Sequence, residues 1–328
     1  MLTLPALHVH QPSTVAEAVQ LLTDRPGARV LAGGTDLVPN LKYGMYDGGE
    51  LVALRGLGRE LRYVREEQGE LRLGALCTID QLANDTRVRA LLPALADAAA
   101  QIAGPQLRRM GTLGGNLCLD TRCVYINQSH FWRQALGFCL KKDGTACHVV
   151  ASGKRCVAAA SNDTAPVLIA LGATVALVSP RGTRNLPLED FYVADGIKNT
   201  RLAPDELLVE ARVPLAATKL RQAYAKLWMR QAIDFPALNL AVGLSVDGGK
   251  LASVKLCVSA LAARPAVIKG LAELIGSEVG DGRVLGAELG RRAQKQCKPL
   301  TNIGIDPGWR REVLPVLVRR AVVRALGG

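Results

Sequence analysis

The chain has 328 residues, 49% of them hydrophobic, with a formal net charge of +12 from 41 Lys and Arg against 29 Asp and Glu, so it can bury a large core in about two or three units. Its basic residues are scattered and aromatics are only 4%, which disfavours a nucleic-acid surface. No apolar run approaches the roughly 18 residues of a membrane span, and the N-terminus lacks the basic start and apolar block of a signal peptide; a cytoplasmic protein with no nucleic-acid or membrane partner is expected, in which clustered cysteines are metal ligands or redox groups rather than a disulfide framework.

In chain order, "STVAEAVQLL" predicts a helix with Thr14 and Glu17 in capping-box register, followed by strands at "ARVLA" and "ELVALRGL". Residues 1–57 thus read as a small α/β unit. From 58 to 216 the pattern is of hairpins, "LRYVREEQGELRLGALCTI" turning at Gln68-Gly69 and "TVALVSPRGTRNLPLEDF" turning at Pro180-Arg181-Gly182. Between them the Ala-rich helix "LLPALADAAAQI" is stopped by Gly104-Pro105. A third unit, 217–328, carries strands "LRQAYAKLWMR", "ALNLAVGLSV" and "KLASVKLCVSAL", the last two joined at Asp247-Gly248-Gly249. Asp306-Pro307 then starts a helix, since Asp caps and Pro suits the first helical position. Its basic stretch and "GRRAQKQCK" are at helical spacing and read as solvated faces or a patch that meets an acidic protein. The fold class expected is α+β.

Two glycine turns stand out. In "RVLAGGTDLVPNL" a strand-like run leads into Gly33-Gly34-Thr35-Asp36, and paired glycines let backbone N–H groups approach an anion while Thr adds a hydroxyl. Asp36 would repel phosphate, so its carboxylate is expected on loop N–H groups or a ribose hydroxyl. Single Gly-Gly pairs are ordinary turns, but "GTLGGNLC" repeats the chemistry with Thr112, Gly114, Gly115 and Asn116. Neither fits the spacing of a Walker loop or of GxGxxG, which disfavours an ATPase or a Rossmann site.

"LAGGTDLVPNL", "TLGGNL", "SNDTAPVLIALGATVALV", "LPLEDFY", "DELLVEARVP" and "AYAKLWMRQAIDFP" together resemble, in order and over nearly the whole chain, the FAD-binding medium subunit of the molybdenum hydroxylases, the family of xanthine dehydrogenase and carbon monoxide dehydrogenase. The resemblance implies the two-subdomain FAD-binding (PCMH-type) fold, with FAD held between the N-terminal and middle subdomains and a C-terminal antiparallel sheet and helices beyond. It places Leu31, Ala32, Gly33, Gly34, Thr35 and Asp36 along the pyrophosphate, and Thr112, Gly114, Gly115 and Asn116 opposite. It places Asp163 at the adenosine half, Leu208 at the isoalloxazine, and Tyr224 and Lys226 on a strand reaching the flavin ring; the alternation around Tyr224 also fits a plain half-buried strand.

Against that family pattern about forty residues are inserted, from about 119 to 160, containing Cys123, Cys139, Cys147 and Cys156. Cys118, beside the glycine loop, reads as packing. The spacing C-x15-C-x7-C-x8-C is neither the ferredoxin run nor a pair of zinc knuckles, and four thiolates suit zinc or an iron–sulfur cluster alike. His130 and His148 could replace a thiol but read as solvent-facing. Beside a flavin, iron is favoured, because zinc cannot change oxidation state. "NLCLDTRC", "YINQS", "CLKKDGTACHV" and "RQAIDFP" are similar to the medium subunit of the 4-hydroxybenzoyl-CoA reductases. That resemblance implies a [4Fe–4S] cluster and electrons passing from ferredoxin through cluster and FAD to a small subunit with two [2Fe–2S] centres and a large molybdenum-cofactor subunit, in a dimer of heterotrimers. No catalytic residue for the aromatic substrate is then expected in this chain. The alternatives are a medium subunit that serves oxidation of an N-heterocycle, aldehyde or carbon monoxide, and a flavin-binding assembly module with a zinc loop.

Overall fold

Thr14 caps the helix Val15–Asp24, its hydroxyl accepting from the Glu17 N–H at 3.1 Å. Glu17 reaches one residue further back than a capping box requires, accepting from the Ser13 N–H at 2.7 Å and its hydroxyl at 2.9 Å. These contacts come from a computed structural model that describes residues 2–328. Ala18, Val19 and Leu22 bury this helix against a parallel sheet of order β1-β3-β2, with β1 Leu7–His10, β2 Arg29–Leu31 and β3 Gly49–Ala53. β1 and β2 each pair in parallel with β3, and strands running the same way need crossover connections; the helix supplies the one from β1 to β2.

The second sheet is antiparallel, order β4-β5-β8-β6-β7, from Val64–Glu67, Glu70–Gly74, Leu207–Pro214, Thr174–Ser179 and Gly182–Pro187 respectively. Its first turn is where the sequence puts it: Gln68 and Gly69 take φ of 53° and 76°, as a two-residue hairpin of this twist demands. Leu71, Leu73, Val175 and Leu177 from this sheet join Leu95, Leu113 and Leu168 in the largest core, each fully buried side chain stabilising by about 1.5–3 kcal/mol. The Ala-rich run folds as the helix Pro93–Ala100, and Leu91 at its start ends a separate helix, Thr86–Leu91. Pro93 forces the break, because its ring disfavours α geometry at Leu92, whose φ is −130° and ψ 58°.

The third sheet, order β12-β11-β10-β9, comprises Ala266–Val267, Lys250–Ser259, Leu238–Asp247 and Arg221–Leu227, again antiparallel, with Gly248 and Gly249 at φ 53° and 80° in its tightest turn. Two helices, Arg283–Gln296 and Pro307–Ala325, cover it. Asp306 caps the second, accepting from the Trp309 N–H at 2.6 Å. The helices approach closely where Gly290 meets Pro315, at which a Cβ would stand 2.8 Å from the proline backbone.

Residues 119–160 add no strand. They contain one short helix, His130–Ala135, capped by Ser129, and otherwise turns. Reciprocal bonds close the base of this segment, Arg122 N–H to the Ala159 carbonyl at 2.8 Å and Ala159 N–H to the Arg122 carbonyl at 2.7 Å. Asn302, fully buried ahead of the last helix, braces it by accepting from the Val124 N–H at 2.9 Å and donating its amide to the Val157 carbonyl at 2.7 Å. Among the described residues no helix is long and apolar enough to cross a membrane.

Candidate functional site

A cleft of about 690 Å³ separates the first sheet from the second, and both glycine loops border it. Gly33 is required there because a Cβ would run into the Met110 backbone, and Gly34 because its φ is +71°. Of the residues expected at the ligand, Ala32, Gly33, Gly34, Thr35, Asp36, Thr112, Gly114, Gly115, Asn116, Asp163 and Leu208 line this one cavity. Leu31, Tyr224 and Lys226 are not among the lining residues. Leu31 instead packs beneath the loop, its side chain within reach of a Cβ at Gly34.

The second loop is a short helix, Leu113–Leu117, and its polar groups are largely spent within it and on neighbouring elements. Thr112 accepts from the Gly115 N–H at 3.1 Å, Gly114 N–H donates to the Ala75 carbonyl at 2.8 Å, and Asn116 accepts from the Thr164 N–H and hydroxyl at 3.1 and 2.6 Å. This loop shapes the wall; donors for an anion must come from the first loop and from cationic side chains. Asp36, expected on loop N–H groups or a ribose, pairs with the Arg122 guanidinium instead and accepts from the Asn40 amide at 3.0 Å. A cation arriving from the inserted segment 86 residues away outcompetes the local backbone. Burial lowers Arg122 only to about 10, so it is cationic near neutrality, and it lies 4.2 Å over the Phe235 ring.

Asp163 lies at the back of the cleft with little exposure. The Tyr224 hydroxyl donates to it and the Lys226 ammonium stands 3.1 Å away, that lysine also donating to the Gln101 carbonyl at 3.0 Å. Tyr224 and Lys226 therefore reach the cleft only through Asp163. They share one face of β9 by strand alternation, and that face points into the core against the acid. Burial raises the Asp163 carboxyl, opposed by the Lys226 charge and the tyrosine bond, and holds the Tyr224 hydroxyl protonated well above its usual range.

The four inserted cysteines come together. Cys123, Cys139, Cys147 and Cys156 line one buried chamber with Tyr125, Ile126, Leu140, Lys141 and His148. Its void is about 20 Å³, too small for an organic ligand. None of the eight cysteines is in a disulfide. The chain turns sharply after Cys139, whose carbonyl accepts from the Lys142 and Gly144 N–H groups at 2.9 and 3.2 Å, and this turn points Lys141 inward. A Cβ at Gly196 would meet the Cys156 sulfur at 2.7 Å, so only glycine fits there. Burial pushes the Cys123 thiol up to about 11; Cys156 is also raised by burial, with the Lys141 charge acting against it. No three His, Cys, Asp or Glu side chains among the described residues are grouped as a single metal ion requires. His148 is exposed and hydrogen-bonds the Phe138 carbonyl at 2.6 Å, and His130 packs edge-on against Phe138.

Cys118, expected only to pack, packs against the largest core and also lines the cleft. Tyr46, Asp120, Arg122 and Phe235 line it too without having been singled out. Tyr46 carries no local motif; Asp120 and Arg122 lie within "NLCLDTRC" and Phe235 within "RQAIDFP", whose positions beside the cleft only the fold reveals.

Residues 5–216 match the family model described as FAD binding domain in molybdopterin dehydrogenase, and residues 222–325 that of the CO dehydrogenase flavoprotein C-terminal domain. The chain is 30% identical over 325 residues to the carbon monoxide dehydrogenase medium chain of Afipia carboxidovorans, covering 96% of this chain and 95% of that one. It is 33% identical over 245 residues to the aldehyde oxidoreductase FAD-binding subunit of Escherichia coli, covering 72% and 76%. Its fold superposes on carbon monoxide dehydrogenase from Hydrogenophaga pseudoflava with a TM-score of 0.81 at 26% identity, over 99% of this chain and 98% of that one.

Proposed function

Because the chain belongs to the FAD-binding medium subunits of the molybdenum hydroxylases, an oxidoreductase family, we propose that it is the electron-transfer subunit, carrying both FAD and a [4Fe–4S] cluster, of an enzyme of the 4-hydroxybenzoyl-CoA reductase type. The observation that carries the finer reading is the convergence of Cys123, Cys139, Cys147 and Cys156 on one buried chamber. Thiolates on one zinc ion, with bonds of about 2.3 Å, would close to within about 4 Å of one another. A cubane assigns each thiolate to a different iron and spreads them wider, and beside a flavin only the iron centre could also carry electrons.

When bound, FAD and the cluster would supply one-electron and two-electron exchange at low potential. The protein's part is to seat and insulate. Gly33 to Thr35 would lie along the pyrophosphate, with Arg122 adding positive charge held in place by Asp36. The wall from Thr112 to Asn116 would fix the width of the cleft, Asp163 would meet the adenosine half and Leu208 the isoalloxazine. Tyr224 and Lys226 would act by orienting Asp163. Leu31 would support the first loop from below.

The division into units 1–57, 58–216 and 217–328 belongs to the same proposal, as do its partners: a large molybdenum subunit, a small subunit with two [2Fe–2S] centres, a dimer of heterotrimers, and ferredoxin as cytoplasmic donor. Iron and acid-labile sulfide analysis with electron paramagnetic resonance on the purified chain tests it. The expected result is about four irons per chain, lost in Cys139→Ser and in Cys147→Ser. Zinc in the chamber would instead favour a medium subunit serving oxidation of an N-heterocycle, aldehyde or carbon monoxide, or a flavin-binding assembly module with a zinc loop.

A further inference from the structure

Cys118, Leu119, Asp120 and Arg122 line the cleft and the next residue, Cys123, lines the thiol chamber, and one chain of hydrogen bonds runs from one cavity to the other. The Tyr46 hydroxyl donates to one Asp120 oxygen at 2.7 Å, and the Lys141 ammonium donates to the other at 2.7 Å. Tyr46 and Asp120 line the cleft; Lys141 lines the chamber. The lysine side chain is 7% exposed, and its remaining hydrogens go to the Thr121 hydroxyl at 2.7 Å and the Gly196 carbonyl at 2.5 Å. Three acceptors saturate an ammonium, so this charge is fixed in position. A flexible turn residue could have faced water at no desolvation cost, as Asp143 nearby does.

We infer that Lys141 is a positioning residue whose fixed positive charge sets the potential of the metal centre in the thiol chamber, and that Asp120 couples that centre to the flavin cleft by standing against both. The inference rests on the chamber being the seat of a [4Fe–4S] cluster. A cluster on four thiolates is anionic and gains negative charge on reduction, so a fixed cation beside it favours the reduced form, more strongly in a buried setting than in water. Asp120 tempers the cation on one side and, through Tyr46, adds negative potential on the other. Removing the Asp120 charge should therefore make both centres easier to reduce.

Redox titration of the assembled complex tests this, with the cluster followed by electron paramagnetic resonance and the flavin by visible absorbance. Lys141→Gln should shift the cluster's reduction equilibrium about tenfold toward oxidation, about 59 mV for a one-electron centre; Lys141→Arg, which keeps the charge, should stay near the parent; Asp120→Asn should raise both potentials. Iron lost from Lys141→Gln but kept in Lys141→Arg would also support the charge role. Iron lost equally from both variants, or kept in Lys141→Gln with an unmoved potential, would reduce Lys141 to a strut and overturn the inference while leaving the cluster reading intact. An Asp120→Asn complex in which only the cluster shifts would overturn the coupling. A parent complex without about four irons on this chain would overturn the cluster reading, and this inference with it.

Discussion

Asp163 shows what a single buried acid demands. With its side chain 5% and that of Lys226 1% exposed, neither charge can recruit water, and they are compensated by each other and by Tyr224, Asn239, Gln101 and the Trp228 ring. Such a pair contributes little compared with an apolar replacement of equal shape, yet removing one member leaves a bare charge inside. Asp163→Ala should therefore cost about 3–5 kcal/mol in urea unfolding of the flavin-free chain. Lys226→Met should cost a similar amount, and the double variant clearly less than the sum; strict additivity would mean the two charges do not depend on each other. FAD retention separates the two roles, since only Asp163 lines the cleft.

At the scale of elements, the packing of the last two helices turns on Gly290, which lets Pro315 approach. Gly290→Leu should force them apart and cost about 1–3 kcal/mol, read as a lowered urea midpoint with an unchanged slope. The proline, which leaves one backbone carbonyl unpaired within its helix, is tolerated there. Local chemistry made many such elements legible beforehand: Gln68-Gly69 and Gly248-Gly249 turn because two positive φ angles are needed in succession, and Asp306 starts a helix because its carboxylate can accept from Trp309. The strand Leu7–His10 escaped, since its register is set by Gly49–Val52 some forty residues on and not by its own pattern. The glycine loops and the cysteine set were legible as chemistry. What was not legible is who faces whom: Arg122 on Asp36, Tyr224 and Lys226 behind Asp163, and Lys141 turned inward rather than out. Those pairings depend on which surfaces the sheets bring together, and sequence spacing carries no record of them.

Considered whole, the molecule is a strongly basic body, +12 over 328 residues, with its thiol chamber walled by a segment that leaves the compact sheets. An acidic one-electron carrier such as a ferredoxin would be steered to such a surface, so the rate of electron delivery should fall as ionic strength rises from about 0.05 to 0.5 M, where the screening length shrinks severalfold. Stopped-flow reduction of the assembled complex measures it, and a flat salt dependence would exclude electrostatic docking. The chamber also has an unexpected guarantor. Asn302, far along the chain from every cysteine of the insertion, fastens both Val124 and Val157. A nick or truncation just before it would cut no thiol and touch no flavin contact, yet would unlatch the loop at its two ends; the integrity of the thiol chamber thus reports on whether the tail of the polypeptide has been made and folded.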